Sequence, residues 1–109
     1  MLVEIQTKKG LLDVCVLAAV SRESSYGYRI VRDVSQHIEM SESTLYPILK
    51  RLEAAGCLTT RTSEHGGRLR KYYAITDKGR EKIRAFLDEW DEIAAVHQYV
   101  KEVATHEPQ

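Results

Sequence analysis

The chain has 109 residues, of which 43% are hydrophobic and 29% are charged, and its formal net charge is zero. This length fits one domain with a modest core, and the longest apolar run, residues 14–20, is much shorter than the roughly 18 residues of a membrane span. The first residues lack the basic-then-apolar order of a signal peptide, so we expect a cytoplasmic protein.

The charges are segregated along the chain although they sum to zero. Residues 57–80 carry six basic side chains against two acidic ones, whereas residues 81–109 carry three basic side chains against seven acidic ones. The first segment therefore has a net charge of +4, and its local positive field is hidden in the sum over the whole chain. This distribution favours a nucleic-acid partner.

The first predicted helix covers residues 8–21 and is apolar on nearly every side. A helix without a polar face must be covered from several directions. A chain of this length has little material for that purpose, so we expect a second subunit to supply part of the cover. Cys15 and Cys57 lie in apolar surroundings and are interpreted as buried structural cysteines.

A second helix is predicted over residues 26–37, with Ser24 or Ser25 as its N-cap. Gly27 in its first turn either permits the close approach of another backbone or frays the helix end. Tyr28 lies near the same end, where it either reaches a phosphate or remains a plain surface residue. The predicted buried stripe of this helix consists of Ile30, Val31, Val34 and Ile38.

A third helix is predicted to begin near Ser43 or Thr44, because Pro47 is comfortable only in a first turn, and to stop at Gly56. Its apolar face carries Leu45, Ile48, Leu49, Leu52 and Ala55. Its opposite face carries Ser43, Pro47, Lys50 and Ala54, flanked by Tyr46 and Arg51. Small, polar and basic residues suit a helix that lies in the major groove of DNA.

Two strands are predicted at residues 57–64 and 68–76, joined by His65, Gly66 and Gly67. The successive glycines allow the positive φ angles of a tight hairpin. Alternation predicts two faces for the second strand, one with Leu69, Tyr73 and Ile75 and the other with Arg68, Arg70 and Tyr72. We expect Tyr73 and Ile75 to pack inward and the arginines to lead at the tip.

These elements predict a mainly α (α+β) fold. Residues 1–76 form a winged helix-turn-helix domain of three helices and a two-stranded β-wing, and residues 77–109 form a long C-terminal dimerisation helix with a short tail. Thr76 is the predicted N-cap of that helix, which runs to about Val103. Its apolar stripe is typical of a helix-pairing surface and consists of Ile83, Phe86, Leu87, Trp90, Ile93, Ala94, His97, Val100 and Val103.

No catalytic constellation is apparent in the sequence. The four histidines share no metal-ligand spacing with each other or with either cysteine, so we predict neither a metal site nor a cofactor. A phosphate-binding loop and a nucleophile elbow are also missing from the pattern. An enzyme or a ligand carrier is therefore disfavoured.

The segments SESTLYPILKRLEAAGCL and HGGRLRKYYAITDKGREKI resemble the PadR family of bacterial winged-helix transcriptional regulators. The earlier segment LLDVCVLAAVSRESSYGYRIVRDV is similar to the first two helices of that family, and the resemblance extends from about Leu11 to Val103. The single C-terminal helix is similar to the short subfamily. The resemblance implies a homodimeric DNA-binding repressor that a small molecule releases from its promoter.

The resemblance also implies where partners bind. The implied dimer interface comprises Leu11, Leu12, Phe86, Leu87, Trp90, Ile93, Ala94, His97 and Val100. In short members a tryptophan of the last helix lines an aromatic pore at the dimer centre, and Trp90 stands at the matching place, where it either stacks an aromatic or phenolic effector or fills the interface. The candidate ligand-binding residues are Leu12, Cys15, Trp90, Ile93 and His97.

We expect two copies to place their third helices in successive major grooves of a pseudo-palindromic operator. The candidate DNA-binding residues are Tyr28, Ser43, Thr44, Tyr46, Pro47, Lys50, Arg51, Arg68, Arg70 and Lys71, the last four of them mainly at phosphates. The alternative is a winged helix that docks a protein without touching DNA. The basic tip and the polar outward face of the third helix favour DNA.

Overall fold

The structure is a computed structural model that describes residues 8–106. In chain order its elements are α1 (Lys8–Ala19), β1 (Ser25–Tyr26), α2 (Gly27–Val34), α3 (Glu42–Ala54), β2 (Leu58–His65), β3 (Arg68–Ile75) and α4 (Asp77–Thr105). The predicted order of helices, hairpin and long last helix is confirmed. The tail was predicted to begin at Thr105, but Thr105 is the last residue of α4, and residues 107–109 lie outside the described residues.

One core joins the first three helices to the base of the wing. Because the apolar stripes of α2 and α3 face α1, their side chains leave water together, which is the main stabilising contribution in a domain of this size. The buried apolar residues are Leu12, Val16, Leu17, Val20, Ile30, Val34, Met40, Leu45, Ile48, Leu49, Leu52, Cys57, Leu58 and Tyr73. The prediction of a buried Cys57 is confirmed, and Cys15 is half-buried against the same core.

A third strand that the sequence did not predict precedes α2. Ser25 and Tyr26 pair antiparallel with Tyr73 and Tyr72, so the sheet has the order β1-β3-β2. The prediction that Ser24 or Ser25 caps α2 is therefore wrong, because Ser25 is buried within the sheet and Tyr26 occupies the N-cap position without a side-chain hydrogen bond. Backbone pairing with β3, in place of a capping side chain, fixes the residues that precede α2.

Helix α2 is also shorter than predicted, since it ends at Val34 and residues 35–37 form turns. The Ser35 hydroxyl donates to the carbonyl of Met40 at 3.0 Å. Serine side chains that bind nearby backbone compete with helix continuation. Here the bond holds the turn after α2 closed, and Met40 packs into the core.

Helix α3 begins at Glu42, one or two residues before the predicted start, because Ser41 is its N-cap and accepts a hydrogen bond from the Thr44 amide at 3.3 Å. Pro47 consequently lies inside the helix, beyond its first turn. Proline has no N–H to donate to the carbonyl four residues earlier. That carbonyl belongs to Ser43, and both residues lie on the exposed face, where the carbonyl is open to solvent instead of being buried without a donor.

The end of α3 is a Schellman motif, as the glycine signal predicted. The amide of Cys57 donates to the carbonyl of Leu52 at 2.9 Å and the amide of Gly56 donates to the carbonyl of Glu53 at 3.0 Å, while Gly56 adopts a φ of 82°. Ala55 was predicted to be buried and is exposed, because it is the C-cap residue and follows the last helical turn.

The β2–β3 hairpin forms the predicted wing, and its strands reach the turn itself. His65 pairs with Arg68, which leaves Gly66 and Gly67 as a two-residue loop with φ angles of 60° and 81°. Tyr73 is buried and Ile75 packs against the core, as predicted. Leu69 is on the same face but is 79% exposed, because the hairpin tip projects past the helices.

Helix α4 projects from the domain and extends along the long axis of the molecule. Thr76 caps it by accepting from the Gly79 amide at 3.1 Å, and the same hydroxyl donates to the carbonyl of Gly56 at 2.6 Å. Every residue from 94 to 106 is exposed, and the molecule measures 72 × 25 × 21 Å. Among residues 8–106, none of the helices combines the length and apolarity needed to cross a membrane.

Candidate functional site

The outward face of α3 is exposed as the helical wheel predicted. Ser43, Pro47, Lys50 and Ala54 are all on the surface, while the opposite face is packed into the core. At its N-terminal end, the Ser41 hydroxyl lies 3.0 Å from the Ser43 hydroxyl and 3.1 Å from that of Thr44. This end of the helix therefore presents a cluster of hydroxyl groups beside the positive end of the helix dipole.

Tyr46 rests against the start of α2. A Cβ atom added to Gly27 would lie 2.5 Å from the Tyr46 hydroxyl oxygen and 3.1 Å from its Cζ atom. Because Gly27 has no side chain, the Tyr46 ring of α3 fits against it. Gly27 therefore permits a close approach, but of a side chain and not of another backbone. Tyr26, the residue before it, is the N-cap of α2.

A groove of about 510 Å³ separates strand β3 of the wing from the N-terminal ends of α2 and α3. It combines aromatic and basic side chains and is open to solvent. Its lining residues are Tyr26, Gly27, Tyr28, Glu42, Tyr46, Leu69, Arg70, Lys71 and Tyr73. The fold therefore brings Tyr28, Tyr46, Arg70 and Lys71, four of the sequence-predicted DNA residues, to the walls of one groove.

The basic residues of this region are held in different ways. Lys71 lies 3.9 Å from a carboxylate oxygen of Glu53 and its Nζ atom lies 5.6 Å from the centre of the Tyr73 ring. The Arg70 guanidinium lies over the ring of Tyr26 at 4.0 Å. Arg68 is exposed beside the turn, so the arginines lead at the tip as expected.

Burial raises the pKa of the Tyr73 phenol, and Glu53 and then Tyr46 raise it further.

Arg51 is engaged inside the domain. Its guanidinium donates to the carboxylate of Asp13, whose side chain is only 10% exposed against 38% for Arg51. This ion pair joins α1 to α3 through residues 38 positions apart. The sequence analysis placed Arg51 at phosphates and assigned nothing to Asp13. Separation in sequence explains the omission, since no local pattern relates the two residues.

The middle of α4 presents an aromatic pair. The rings of Phe86 and Trp90 stack at 6.1 Å with an interplanar angle of 27°, and Trp90 is 47% exposed. Ile93 is half-buried, whereas His97 and Val100 are exposed on the following turns. These residues therefore form a continuous surface along the helix, with an aromatic ring accessible from solvent.

The remaining candidate ligand residues lie on α1. Leu12 is almost fully buried in the core of its own chain, which leaves little of its surface for a partner or a ligand. Cys15 lines a small groove of about 240 Å³ together with Asp33 of α2 and His37 in the turn that follows it. Burial raises the pKa of the Cys15 thiol and so disfavours the reactive thiolate. The lining of this groove does not include Trp90.

Sequence reasoning missed two features of the site. Tyr26 pairs with Tyr72 in the sheet and packs beneath Arg70, but a strand of two residues gives no periodic signal. Arg61 was counted only as a charge, and the structure places its guanidinium 4.8 Å above the ring of Tyr72. The aromatic residues of the wing were the available signal, since arginine stacks readily on such rings.

Comparison with known proteins agrees with this geometry. The model of the "Transcriptional regulator PadR-like family" matches residues 16–85. A transcriptional regulator of Mycobacterium tuberculosis is 37% identical over 59 residues, which cover 53% of this chain and 55% of that protein.

Solved structures are similar over longer stretches. The Streptococcus mutans protein smu.1704 is 37% identical with a TM-score of 0.74, and the match covers 96% of each chain. Bacillus subtilis PadR, solved in complex with operator DNA, is 28% identical with a TM-score of 0.66. That match covers 71% of this chain and 46% of the longer Bacillus chain.

Proposed function

Because this chain belongs to the PadR-like family of transcriptional regulators, we propose that it is a homodimeric repressor that binds a pseudo-palindromic operator and leaves it when a small aromatic or phenolic ligand binds. One observation carries the DNA-binding part of this proposal. The start of α3, through Glu42 and Tyr46, and the basic wing, through Arg70 and Lys71, border the same open groove, and the polar face of α3 is exposed beside it. A helix with that face fits the major groove while the wing follows the adjacent backbone.

The proposal divides the DNA contacts between two groups of residues. Base edges and the neighbouring backbone are met by α3, through Ser43, Thr44, Tyr46, Pro47 and Lys50. Phosphates are neutralised from the wing by Arg68, Arg70 and Lys71, and Tyr28 at the start of α2 donates a hydrogen bond to a phosphate. Arg51 is left out because Asp13 already engages its guanidinium. Bacillus subtilis PadR, a relative by fold and sequence, was solved with operator DNA.

The exposed apolar surface of α4 supports the homodimer. A helix projecting from a domain is marginal in water unless its apolar face packs against something. Leu87, Trp90 and Val100 are each about half exposed in a single chain, with Val96, Tyr99 and Val103 exposed nearby. Pairing with a second copy through Leu11, Phe86, Leu87, Trp90, Ile93, Ala94, His97 and Val100 would cover this surface.

Replacing Arg70 with alanine tests the division of labour. We expect Arg70→Ala to weaken binding to all DNA sequences alike and to make the plot of log affinity against log salt shallower by about one unit, because one phosphate contact is lost. Titrations of upstream promoter DNA and of a mixed-sequence duplex at several salt concentrations measure both quantities. Arg84→Ala removes the same charge from α4 and serves as the control. A changed sequence preference at an unchanged slope would assign Arg70 to base recognition instead.

A side chain at Gly27 should act on DNA binding through Tyr46. The extra Cβ atom of Gly27→Ala would overlap the Tyr46 hydroxyl. The ring is exposed and able to turn away, so we expect little change in stability and a loss of operator affinity of about fivefold, which corresponds to one hydrogen bond of roughly 1 kcal/mol. Gel-shift titration measures the loss. In a Tyr46→Ala background the same glycine change should have no further effect; a second fivefold loss there would show that Gly27 acts by another route.

The effector part of the proposal rests on Trp90. Its exposed ring, stacked on Phe86, offers a flat apolar surface at the centre of the proposed dimer interface. Because Trp90 is the sole tryptophan of the chain, its fluorescence reports on this surface directly. We expect aromatic or phenolic compounds that quench the emission also to lower operator affinity, since a ligand shifts an equilibrium only by binding one state better. If a compound quenched the emission but left operator affinity unchanged, it would bind at this surface without regulating DNA binding.

The competing function is a winged helix that docks a protein. A mobility shift with DNA from upstream of the gene separates the two functions. Binding that disappears at high salt and is saturable with one dimer per site supports the regulator. Unshifted DNA at low salt would favour protein docking.

A further inference from the structure

Four side chains meet on the sheet face that is turned away from the core. Tyr26 of β1 stands opposite Tyr72 of β3, and Tyr72 in turn stands opposite Arg61 of β2. Arg70 precedes Tyr72 by two residues on the same strand, so its side chain lies on this face as well. Two aromatic and two basic residues thus share this face, and they come from all three strands.

Their distances are those of direct contact. The Arg70 Cζ atom lies 4.0 Å from the centre of the Tyr26 ring, and the Arg61 Cζ atom lies 4.8 Å from the centre of the Tyr72 ring. The two rings meet edge to face, with centres 5.6 Å apart and an interplanar angle of 72°. This is a favourable geometry for aromatic pairs. Tyr26 is therefore fixed by Tyr72 on one side while it carries Arg70 on the other.

Stacking leaves the binding groups of an arginine available. The guanidinium contacts the ring through its flat face, whereas its N–H donors lie in the plane and point outward. Among the described residues, Arg29 is paired with Glu23 and Arg51 with Asp13, while no carboxylate lies within ion-pair distance of Arg70. The charge of Arg70 is thus oriented without being neutralised.

An arginine oriented in this way gives up less conformational freedom on binding. A free arginine side chain has many rotamers, and fixing them weakens any contact that it makes. The Arg70 side chain also borders the groove between the wing and the start of α3. A phosphate that enters this groove would meet donors that are already aligned.

We propose that Tyr26 is a positioning residue for DNA binding, whose ring, braced by Tyr72, holds the Arg70 guanidinium in the orientation that meets a DNA phosphate. This inference rests on the proposed function and deepens it, because Tyr26 was assigned no role in it. Tyr26 itself need not touch DNA. Its effect on affinity passes through Arg70.

A double-mutant cycle tests the inference. Tyr26→Leu should lower the affinity for a mixed-sequence DNA duplex at low salt by about two- to fivefold, the value of an exposed cation–π contact. In the Arg70→Ala background the same leucine substitution should change affinity no further, because the partner is gone. Tyr26→Phe keeps the ring and should bind like the wild type. Thermal unfolding of each variant at one protein concentration ensures that only folded protein is compared.

Each outcome bears on the inference. Equal losses from Tyr26→Leu in both backgrounds would overturn the positioning role, as would a Tyr26→Phe variant that binds as weakly as the leucine variant. In both cases the wild type still binds DNA and the proposed function stands. If the wild type itself failed to bind the duplex at low salt, the regulator function would fall, and the positioning role with it.

Discussion

Val100→Asp is expected to convert the protein from a dimer to a monomer and to lower operator affinity by about 10²–10⁴-fold. Val100 is 53% exposed in the single chain and lies on the apolar stripe of α4. In a helix pair this position would be buried, and an unpaired carboxylate there opposes association by several kcal/mol. Each free monomer then holds one half-site and loses the advantage of linked binding, which sets the expected range.

An aspartate introduced on the other side of the helix is the matched control. Ala95 is also exposed but lies outside the apolar stripe. Ala95→Asp therefore adds the same charge to the same helix and should leave the dimer and its operator affinity unchanged. Sedimentation and DNA titration of both variants measure the two effects. A dimeric Val100→Asp protein with wild-type affinity would move the subunit contact away from the distal half of α4.

Arg51→Ala is expected to lower the free energy of unfolding by about 2–3 kcal/mol, or the melting temperature by roughly 10–20 °C. The substitution leaves the buried carboxylate of Asp13 without its partner, between α1 and α3. Loss of one member of a fully buried pair costs about 3–5 kcal/mol. The smaller value applies here because the Arg51 side chain is 38% exposed and solvent already screens it.

Two further variants identify the cause of the loss. Asp13→Asn keeps a hydrogen-bond acceptor of the same shape, so it should destabilise the protein less than Arg51→Ala. Arg29→Ala removes an arginine from an exposed ion pair with Glu23, and we expect it to leave the melting temperature close to that of the wild type. Measurements at one protein concentration remove the contribution of dimerisation. If Arg51→Ala melted like Arg29→Ala, the internal ion pair would be structurally unimportant.

The position of this ion pair bears on the proposed regulation. Asp13 lies on α1, beside residues proposed for the dimer interface, and Arg51 lies on α3, beside residues proposed to read DNA. A rigid connection means that a change in subunit spacing moves the reading helix with it. A ligand between the paired α4 helices would then alter the separation of the two α3 helices rather than their internal structure.

Local signals in the sequence determined most elements of the fold. The buried stripe of α3 at Leu45, Ile48, Leu49 and Leu52 follows helical periodicity, and its exposed face follows from the same wheel. Glycines at the end of α3 and in the wing, and the threonine cap of α4, mark boundaries through short-range backbone chemistry. Such signals are readable because each depends only on residues a few positions apart.

Tertiary structure alone decided the contacts that shape the site. Strand β1 exists because β3 pairs with it, although 45 residues lie between Tyr26 and its partner Tyr72 in the chain. The pairing buries Ser25, brings Tyr26 beneath Arg70, and places Gly27 against Tyr46. The same holds for Asp13 and Arg51, which meet across 38 positions. Contacts of this kind depend on how the helices pack on the sheet, and no local pattern records that arrangement.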